Sequence, residues 1–322
     1  EKEPPMKNGK WIAAGLASAI GALAGVAAVR TYQKFTGEMA AVTRKLLADS
    51  QVVNTPCGPV EYSVRGEGNP LLVVHGTGAG YDQGLLLNQY SGGSFMGIAM
   101  SRFGYLRTPL PEFASPANQA DAHAALLDAL EIPKAAVIGV SGGGPSSIQF
   151  AIRHPDRCSS LVLLSAISQR FPSQDIGPIE VYQWLLKYEF TGWLLVHPLR
   201  PLLLAFVGIS PGVWINMSPF EKAWVIRFIR GLLPLKIRRA GTLNDCRQFM
   251  EMAPLPFDLI KSPSMVIHAA DDPLVPIAHG HLSASSIPKA RLVELPQGGH
   301  LLVGHHQMVT RFIKKFLEEH AN

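Results

Sequence analysis

Short apolar runs separated by turn residues recur from Val52 to the C-terminus. Compact apolar runs suit strands buried on both faces, whereas apolar residues spaced three or four apart suit helices. This alternation predicts an α/β fold with a doubly wound, mostly parallel sheet, which begins near Val52. The predicted strands are 60–64, 71–74, 95–100, 135–140, 161–165, 264–269 and 291–295, and the predicted helices of this body are 116–130, 146–154 and 305–319.

A helical insertion interrupts the strand pattern in the second half of the chain. After 161–165 the next strand pattern is 264–269, and helical patterns broken by proline and glycine lie between them. One helix start is well marked, because Ser218-Pro219-Phe220-Glu221 combines a capping box with proline at the first helical position. We predict a helical cap at 168–250, inserted between two parts of the sheet domain. The predicted helices of the cap are 181–188, 193–206 and 219–231, and the two parts of the sheet domain are 51–167 and 251–322.

The apolar side of the helix predicted at 219–231 has two interpretations. Its members either pack on the sheet domain, with the neighbouring basic residues forming a solvated face, or they face lipid. The sequence leaves both open. The apolar side consists of Trp224, Val225, Phe228, Ile229 and Leu232.

The N-terminal segment 1–30 contains an uncharged stretch at 11–29. As a helix it would be roughly 28 Å long, close to the roughly 30 Å thickness of a bilayer's hydrocarbon core. We predict a single-pass membrane anchor, joined to the body by a linker at 31–50 with an amphipathic helix at 31–48. A cleaved secretory signal, which would leave a secreted or periplasmic protein, and a buried helix are the alternatives. Basic residues on both sides of 11–29 leave the orientation open.

The most informative motif is Gly139-Val140-Ser141-Gly142-Gly143, which directly follows the strand at 135–140. It has the G-x-S-x-G pattern of a nucleophile elbow, a sharp turn from strand to helix that exposes the serine hydroxyl. A Cβ atom two positions before or after the serine would collide with the adjoining strand or helix. The pattern therefore predicts a serine nucleophile at the end of a buried strand.

A glycine-rich loop, His75-Gly76-Thr77-Gly78-Ala79-Gly80, follows the strand at 71–74. Such a loop leaves a backbone N–H, here that of Thr77, free to stabilise an oxyanion. A phosphate-binding loop is the alternative, but neither G-x-G-x-x-G nor G-x-x-x-x-G-K is present.

Ordered motifs along the chain match those of a known family. The HG-x-G loop at 75–78 is followed by S-R-x-G-Y at 101–105 and by the G-V-S-x-G-G-P elbow. A D-x-x-V-P segment at 272–276 and a G-G-H segment at 298–300 come last. With the nucleophile first, the acid second and the histidine third, the chain resembles the α/β-hydrolase superfamily from about Val52 to its C-terminus.

The resemblance implies a role for each site residue. Ser141 would be the nucleophile, His300 the general base and then acid, and Asp272 the carboxylate that orients His300. Asp271 is the alternative acid. His300 is preferred to the two histidines at 305 and 306 because it follows a glycine turn, whereas those fall at a helix start. The oxyanion hole would be formed by the backbone N–H groups of Thr77 and Gly142.

A serine at the elbow limits the chemistry. Relatives that open epoxides or displace halide use an aspartate there, so the expected reaction is acyl transfer to water through an acyl-enzyme. We expect hydrolysis of carboxylic esters of apolar or lipid-like substrates, with neither a cofactor nor a metal. Carbon–carbon bond hydrolysis, thioester hydrolysis and acyl transfer to an alcohol use the same triad and stay open. A non-catalytic binding protein on this fold is a further alternative.

Composition narrows the list of partners. The formal net charge is +5, but only 16% of residues are charged and no nucleic-acid-binding motif is present. We therefore expect no nucleic acid and infer no obligate protein partner. The expected partners are a small-molecule or lipid ester and, through 11–29, a membrane. Three widely spaced cysteines predict neither a disulfide framework nor a zinc site; they are Cys57, Cys158 and Cys246.

Overall fold

The computed structural model describes residues 8–172 and 186–321. They fold as two units that divide between Lys45 and Leu46. Most of the helix predicted at 181–188 lies outside the described residues.

The described part of the N-terminal unit lies in one long helix. Helix α1, Asn8–Ala48, includes both the predicted anchor at 11–29 and the amphipathic helix predicted at 31–48, so the linker is not a separate helix. Apolar side chains such as Leu16, Ile20 and Leu23 are exposed on it. Across residues 8–172 and 186–321, no helix combines the length and apolar character needed to cross a membrane. The predicted span at 11–29 was not found there, and membrane attachment stays a prediction.

The second unit is built on an eight-stranded, mostly parallel sheet, as the sequence predicted. Its order is β1-β2-β4-β3-β5-β6-β7-β8, and β1 and β2 form the antiparallel edge. The strands are β1 Gln51–Thr55, β2 Gly58–Arg65, β3 Asn69–Val74, β4 Phe95–Met100, β5 Ala135–Val140, β6 Cys158–Leu164, β7 Ser264–Ala269 and β8 Arg291–Leu295.

Only β1 was not expected. It is an edge strand with polar and largely exposed positions, so no apolar run marks it.

The sheet is buried on both faces. Leu71 and Val73 of β3 pack in one apolar cluster, while Leu72 and Val74 pack in the cluster on the opposite face, as the two-residue period of a strand requires. Helices surround the sheet and supply these clusters. They are α2 Tyr81–Leu87, α3 Pro116–Ala129, α4 Gly144–Arg153, α10 Ala278–Ser286 and α11 His306–Glu319.

The topology fixes where a site can form. From β3 the chain crosses to β4 on one side, and it then returns to β5 on the other side of β3. The loops after β3 and β5 therefore diverge at a topological switch point, where open α/β sheets bind their ligands. The glycine-rich loop and the elbow are these two loops.

The cap contains a series of short helices. Its described helices are α5 Glu189–Val196, α6 Arg200–Phe206, α7 Pro211–Asn216, α8 Pro219–Arg230 and α9 Arg239–Glu251. The helix predicted at 193–206 is two helices, because Pro198 lies between them and proline disfavours the helical conformation of the residue before it. The capping box at Ser218 and Glu221 is present at the start of α8.

The apolar side of α8 packs inward. Trp224, Val225 and Ile229 are buried in the core, so the lipid-facing interpretation of this side is wrong. The physical reason is that the sheet's loops and α11 offer it apolar partners, including Tyr90, whose ring centroid lies 6.1 Å from that of Trp224. Exposed apolar side chains of the cap lie elsewhere, namely Leu199, Leu202, Phe206, Val213, Ile215 and Phe220.

Backbone and charged contacts dock the cap on the body. The N–H of Gly241 donates to the carbonyl of Gly104 at 2.9 Å. Arg238, which is buried, donates to both carboxylate oxygens of Asp82 at 3.1 and 2.9 Å. The start of α9 is thus held against the loop after β4 and against α2.

Candidate active site

Ser141 lies at a strained turn between β5 and α4. Its φ is +50°, in the left-handed region that non-glycine residues seldom adopt. A Cβ on Gly139 would lie 2.6 Å from the Cβ of Ser147 in α4, and one on Gly143 would lie 2.6 Å from the carbonyl oxygens of Val74 and His75. The glycines two positions before and after Ser141 are therefore required by the close packing of helix and strand.

Three predicted residues meet in one hydrogen-bonded series. The Nε2 atom of His300 lies 3.0 Å from the Oγ of Ser141, and its Nδ1 lies 2.8 Å from Oδ2 of Asp272. These contacts join the ends of β5, β7 and β8, which are far apart in sequence. A carboxylate on Nδ1 keeps the proton there, so Nε2 is left to accept the proton of the serine hydroxyl.

The environment of Asp272 favours its ionised form. Burial by itself raises the pKa of this carboxyl, but hydrogen bonds from His268 and His300 and the backbone N–H of Val275 hold the pKa well below its ordinary value. The N–H groups of Leu274 and Val275 donate to Oδ1 at 2.9 and 3.0 Å. Asp272 is therefore a fixed negative charge beside the imidazole.

Asp271 binds the backbone of the loop that carries His300. Its two carboxylate oxygens accept hydrogen bonds from the N–H groups of Gly298 at 3.2 Å and Gly299 at 2.8 Å. Both glycines have positive φ values, +137° and +58°, in the turn that carries His300. Asp271 thus holds the histidine loop, a role that its sequence position beside Asp272 did not reveal.

The predicted oxyanion donors lie side by side. A Cβ on Gly142 would come 3.1 Å from the backbone N of Thr77, and one on Gly76 would come 3.1 Å from the Cβ of Ser141. In the described part of the chain, neither the N–H of Thr77 nor that of Gly142 donates to another residue. Both donors are available next to the serine, which is the arrangement an oxyanion hole needs.

A cavity of about 360 Å³ opens beside Ser141 and His300. None of its described lining residues is Lys, Arg, Asp or Glu, and the undescribed segment 173–185 contains no Lys or Arg in its sequence. Burial, and then the charge of Asp245, raise the pKa of the lining thiol Cys246 to about 11, so it is not a thiolate near neutral pH. The bulky apolar lining residues include Phe171, Leu203, Phe206, Trp224, Phe228 and Phe249.

Among the residues that the structure describes, no three His, Cys, Asp or Glu side chains are grouped so as to hold a metal ion. The expectation that the chain uses neither metal nor cofactor stays a prediction.

The alpha/beta hydrolase fold family matches residues 69–306, which is most of the second unit. The chain belongs to this family and is a hydrolase of the alpha/beta fold.

Relatives in this family have several activities. The chain is 30% identical over 265 residues to the pimeloyl-[acyl-carrier protein] methyl ester esterase of Chromobacterium violaceum, covering 80% of this chain and 97% of the esterase. It is 26% identical over 275 residues to a 2-hydroxymuconate semialdehyde hydrolase of Pseudomonas putida, covering 79% and 89%. Among solved structures, a bacterial membrane phospholipase A has the same fold, with a TM-score of 0.62 at 19% identity, covering 97% of this chain and 99% of that one.

We expect kcat to fall far more when Asp272 is replaced by asparagine than when Asp271 is. Asp272→Asn should lower kcat for a short p-nitrophenyl ester by about 10⁴-fold, because the amide no longer fixes the tautomer of His300. Asp271→Asn should lower kcat by less than about tenfold, since its amide oxygen still accepts a backbone N–H. Initial rates of the two purified variants, each checked for folding by thermal melting, make the comparison. Comparable losses, or the reverse order, would assign the orienting role to Asp271.

Proposed function

We propose that this chain is a carboxylic ester hydrolase that forms an acyl-enzyme on Ser141 and accepts uncharged, apolar acyl groups. The observation that carries the proposal is the hydrogen-bonded series Ser141, His300 and Asp272 at the wall of an apolar cavity. The esterase among the relatives is in line with it.

In the first half of the reaction, the Oγ of Ser141 attacks the ester carbonyl carbon while Nε2 of His300 takes the hydroxyl proton. The carbonyl oxygen becomes an oxyanion, and the N–H groups of Thr77 and Gly142 donate to it. Asp272 stabilises the imidazolium through Nδ1. His300 then protonates the departing alkoxide, which leaves as the alcohol.

The second half repeats these roles with water. His300, neutral again, takes a proton from a water molecule that attacks the acyl carbon of the Ser141 ester. The same two N–H groups stabilise the second oxyanion, and its collapse returns the proton to Ser141 and releases the carboxylic acid.

The lining of the cavity supports an uncharged substrate. A carboxylate moved from water into an apolar site without a cation loses its hydration without replacement. One relative is named as a hydrolase of 2-hydroxymuconate semialdehyde, and a muconate semialdehyde carries a carboxylate. The described lining residues include no lysine or arginine that could pair with such a carboxylate. Thioester hydrolysis and acyl transfer to an alcohol would use the same groups, and no lining side chain favours either over ester hydrolysis.

Ester hydrolysis and charge selectivity can be tested together. Wild-type protein is expected to hydrolyse p-nitrophenyl butyrate, and kcat/KM should be at least about 100-fold lower for the p-nitrophenyl monoester of a dicarboxylic acid of similar length. Ser141→Ala should lower kcat for the butyrate by about 10⁶-fold. Activity of Ser141→Ala within tenfold of wild type would reject the nucleophile. A preference for the acidic ester would reject the uncharged substrate class.

We also propose that the protein is attached to a membrane through its N-terminal helix. Support comes from α1, on which Leu16, Ile20, Leu23, Val26 and Val29 are exposed. Transfer of such side chains from water into lipid is favourable. The orientation of the body relative to the membrane stays open, as does signal cleavage, which would instead give a secreted or periplasmic protein.

A charge introduced into α1 tests the attachment. Ile20→Arg in the full chain should move the protein from the membrane pellet to the supernatant, because a charged side chain opposes the transfer of this apolar face from water into lipid. Ile20→Leu, which conserves apolar character, is the control and should pellet like wild type. The measurement is the fraction of protein in each phase after ultracentrifugation. Equal pelleting of the Arg and Leu variants, or wild-type protein in the supernatant, would contradict attachment.

A further inference from the structure

A buried carboxylate of the cap lies against the oxyanion loop. Asp245 of helix α9 accepts a hydrogen bond from the Thr77 hydroxyl at 2.8 Å and one from the Tyr105 hydroxyl at 2.7 Å, both at Oδ2. The guanidinium of Arg102 donates to Oδ1 at 2.8 Å and to Oδ2 at 2.6 Å. Asp245 and Arg102 are only 4% and 5% exposed. The carboxylate is thus saturated by donors from the body.

The same donors also hold the rest of the oxyanion loop. Arg102 donates through Nε to the carbonyl of His75 at 3.0 Å, and Tyr105 accepts the N–H of Gly78 at 3.2 Å. Burial, and then the charge of Asp245, raise the pKa of Tyr105 well above its ordinary value, so its hydroxyl remains a donor. His75, Thr77 and Gly78 are therefore each within two hydrogen bonds of Asp245.

His75 completes this arrangement. Its Nε2 accepts the backbone N–H of Arg102 at 2.9 Å, which places the imidazole proton on Nδ1. Nδ1 then donates to the carbonyl of Gly76 at 2.7 Å. Burial and the charge of Arg102 hold the pKa of His75 well below its ordinary value, so the ring stays neutral. This bond fixes the peptide group between Gly76 and Thr77, to which the Thr77 N–H belongs.

We propose that Asp245 is a positioning residue of the oxyanion hole: it holds the Thr77 side chain, and so directs the Thr77 N–H toward the carbonyl oxygen that Ser141 attacks. Because Asp245 belongs to the cap, the hole is complete only while α9 is docked on the body. This inference rests on the proposed function. It also gives Arg102 and Tyr105 of the S-R-x-G-Y segment a mechanical role, which is to fix the carboxylate that holds the loop.

A purely structural ion pair between Asp245 and Arg102 would predict a different outcome. Loss of such a pair would lower the amount of folded enzyme and reduce all reactions equally. Loss of a positioning contact to the oxyanion hole reduces only those reactions that need a donor to oxygen. The test therefore compares an oxygen ester with its thiono analogue, in which a larger and weaker acceptor, sulfur, takes the place of the carbonyl oxygen.

The sharpest variant leaves the ion pair intact. Thr77→Val removes the hydroxyl that donates to Asp245 and preserves the shape of the side chain, whereas Thr77→Ser retains the hydroxyl. Thr77→Val should lower kcat for p-nitrophenyl butyrate by about 10–100-fold, while KM stays within about threefold of wild type. This loss of kcat is smaller than the loss of about 10²–10³ that follows removal of an oxyanion donor, because the Thr77 N–H is still present. The preference of Thr77→Val for the oxygen ester over the thiono ester should fall about tenfold. Thr77→Ser should be at least about tenfold more active than Thr77→Val.

Asp245→Asn tests the carboxylate itself, and it should reduce the oxygen-to-thiono preference in the same direction. The matched control is Asp121→Asn, which breaks the ion pair of Asp121 with Arg153, at 2.7 Å, on the body. Asp121→Asn should prefer the oxygen ester to the thiono ester as strongly as wild-type protein does. Equal losses for the two esters in Thr77→Val, or a kcat within threefold of wild type, would overturn the proposal.

A second measurement separates this proposal from the proposed ester hydrolysis. A fluorophosphonate reacts with an activated serine and places a phosphoryl oxygen where the oxyanion would lie. Its labelling rate at Ser141 should fall about tenfold or more in Thr77→Val relative to Thr77→Ser, whether or not wild-type protein turns over an ester. Equal labelling rates would reject the positioning role, whereas absence of ester turnover with unequal labelling rates would reject only the proposed function.

Discussion

The left-handed backbone of Ser141 is the constraint on which the site depends. Its φ is +50°, and the absence of a side chain at Gly139 allows β5 and α4 to pack closely on either side of this turn. The absence of a side chain at Gly143 lets the turn lie directly on the carbonyls of β3 and its loop. As a result the loop that carries Thr77 lies beside Ser141 at the switch point of the sheet, where open α/β sheets bind their ligands.

Three carboxylates hold the remaining parts of the site. Asp272 orients the imidazole of His300, while its neighbour Asp271 holds the glycine turn on which that imidazole is carried. Asp245 of α9 accepts a hydrogen bond from the side chain of Thr77, and we propose that it plays a corresponding part for the loop that carries Thr77. Asp245 and Asp272 are buried, and each accepts hydrogen bonds from several donors, which is how a charge can be buried without a large penalty.

Much of this was predictable from sequence because the signals are local. The strands at 95–100, 135–140 and 264–269 have the predicted bounds because each is a largely apolar run ended by turn residues. The strand at 291–295 also has the predicted bounds, although it contains the exposed charged residues Arg291 and Glu294. Ser141, Asp272 and His300 follow those strands at motif spacing. The roles of Asp271 and Asp245 were not predictable, because they depend on contacts between loops and helices that are distant in the chain. The partner of the apolar side of α8 could not be predicted for the same reason, because periodicity identifies an apolar face but not whether protein or lipid covers it.

The central claim is that the geometry around Ser141 produces an acyl-enzyme, and direct observation of that intermediate tests it. Wild-type protein would be mixed with p-nitrophenyl butyrate, quenched in acid within the first turnover, digested and examined by mass spectrometry. The account predicts an initial burst of p-nitrophenol and one butyryl group on the peptide that contains Ser141. Steady turnover with Ser141 unmodified, or with the butyryl group on Cys246, would contradict it.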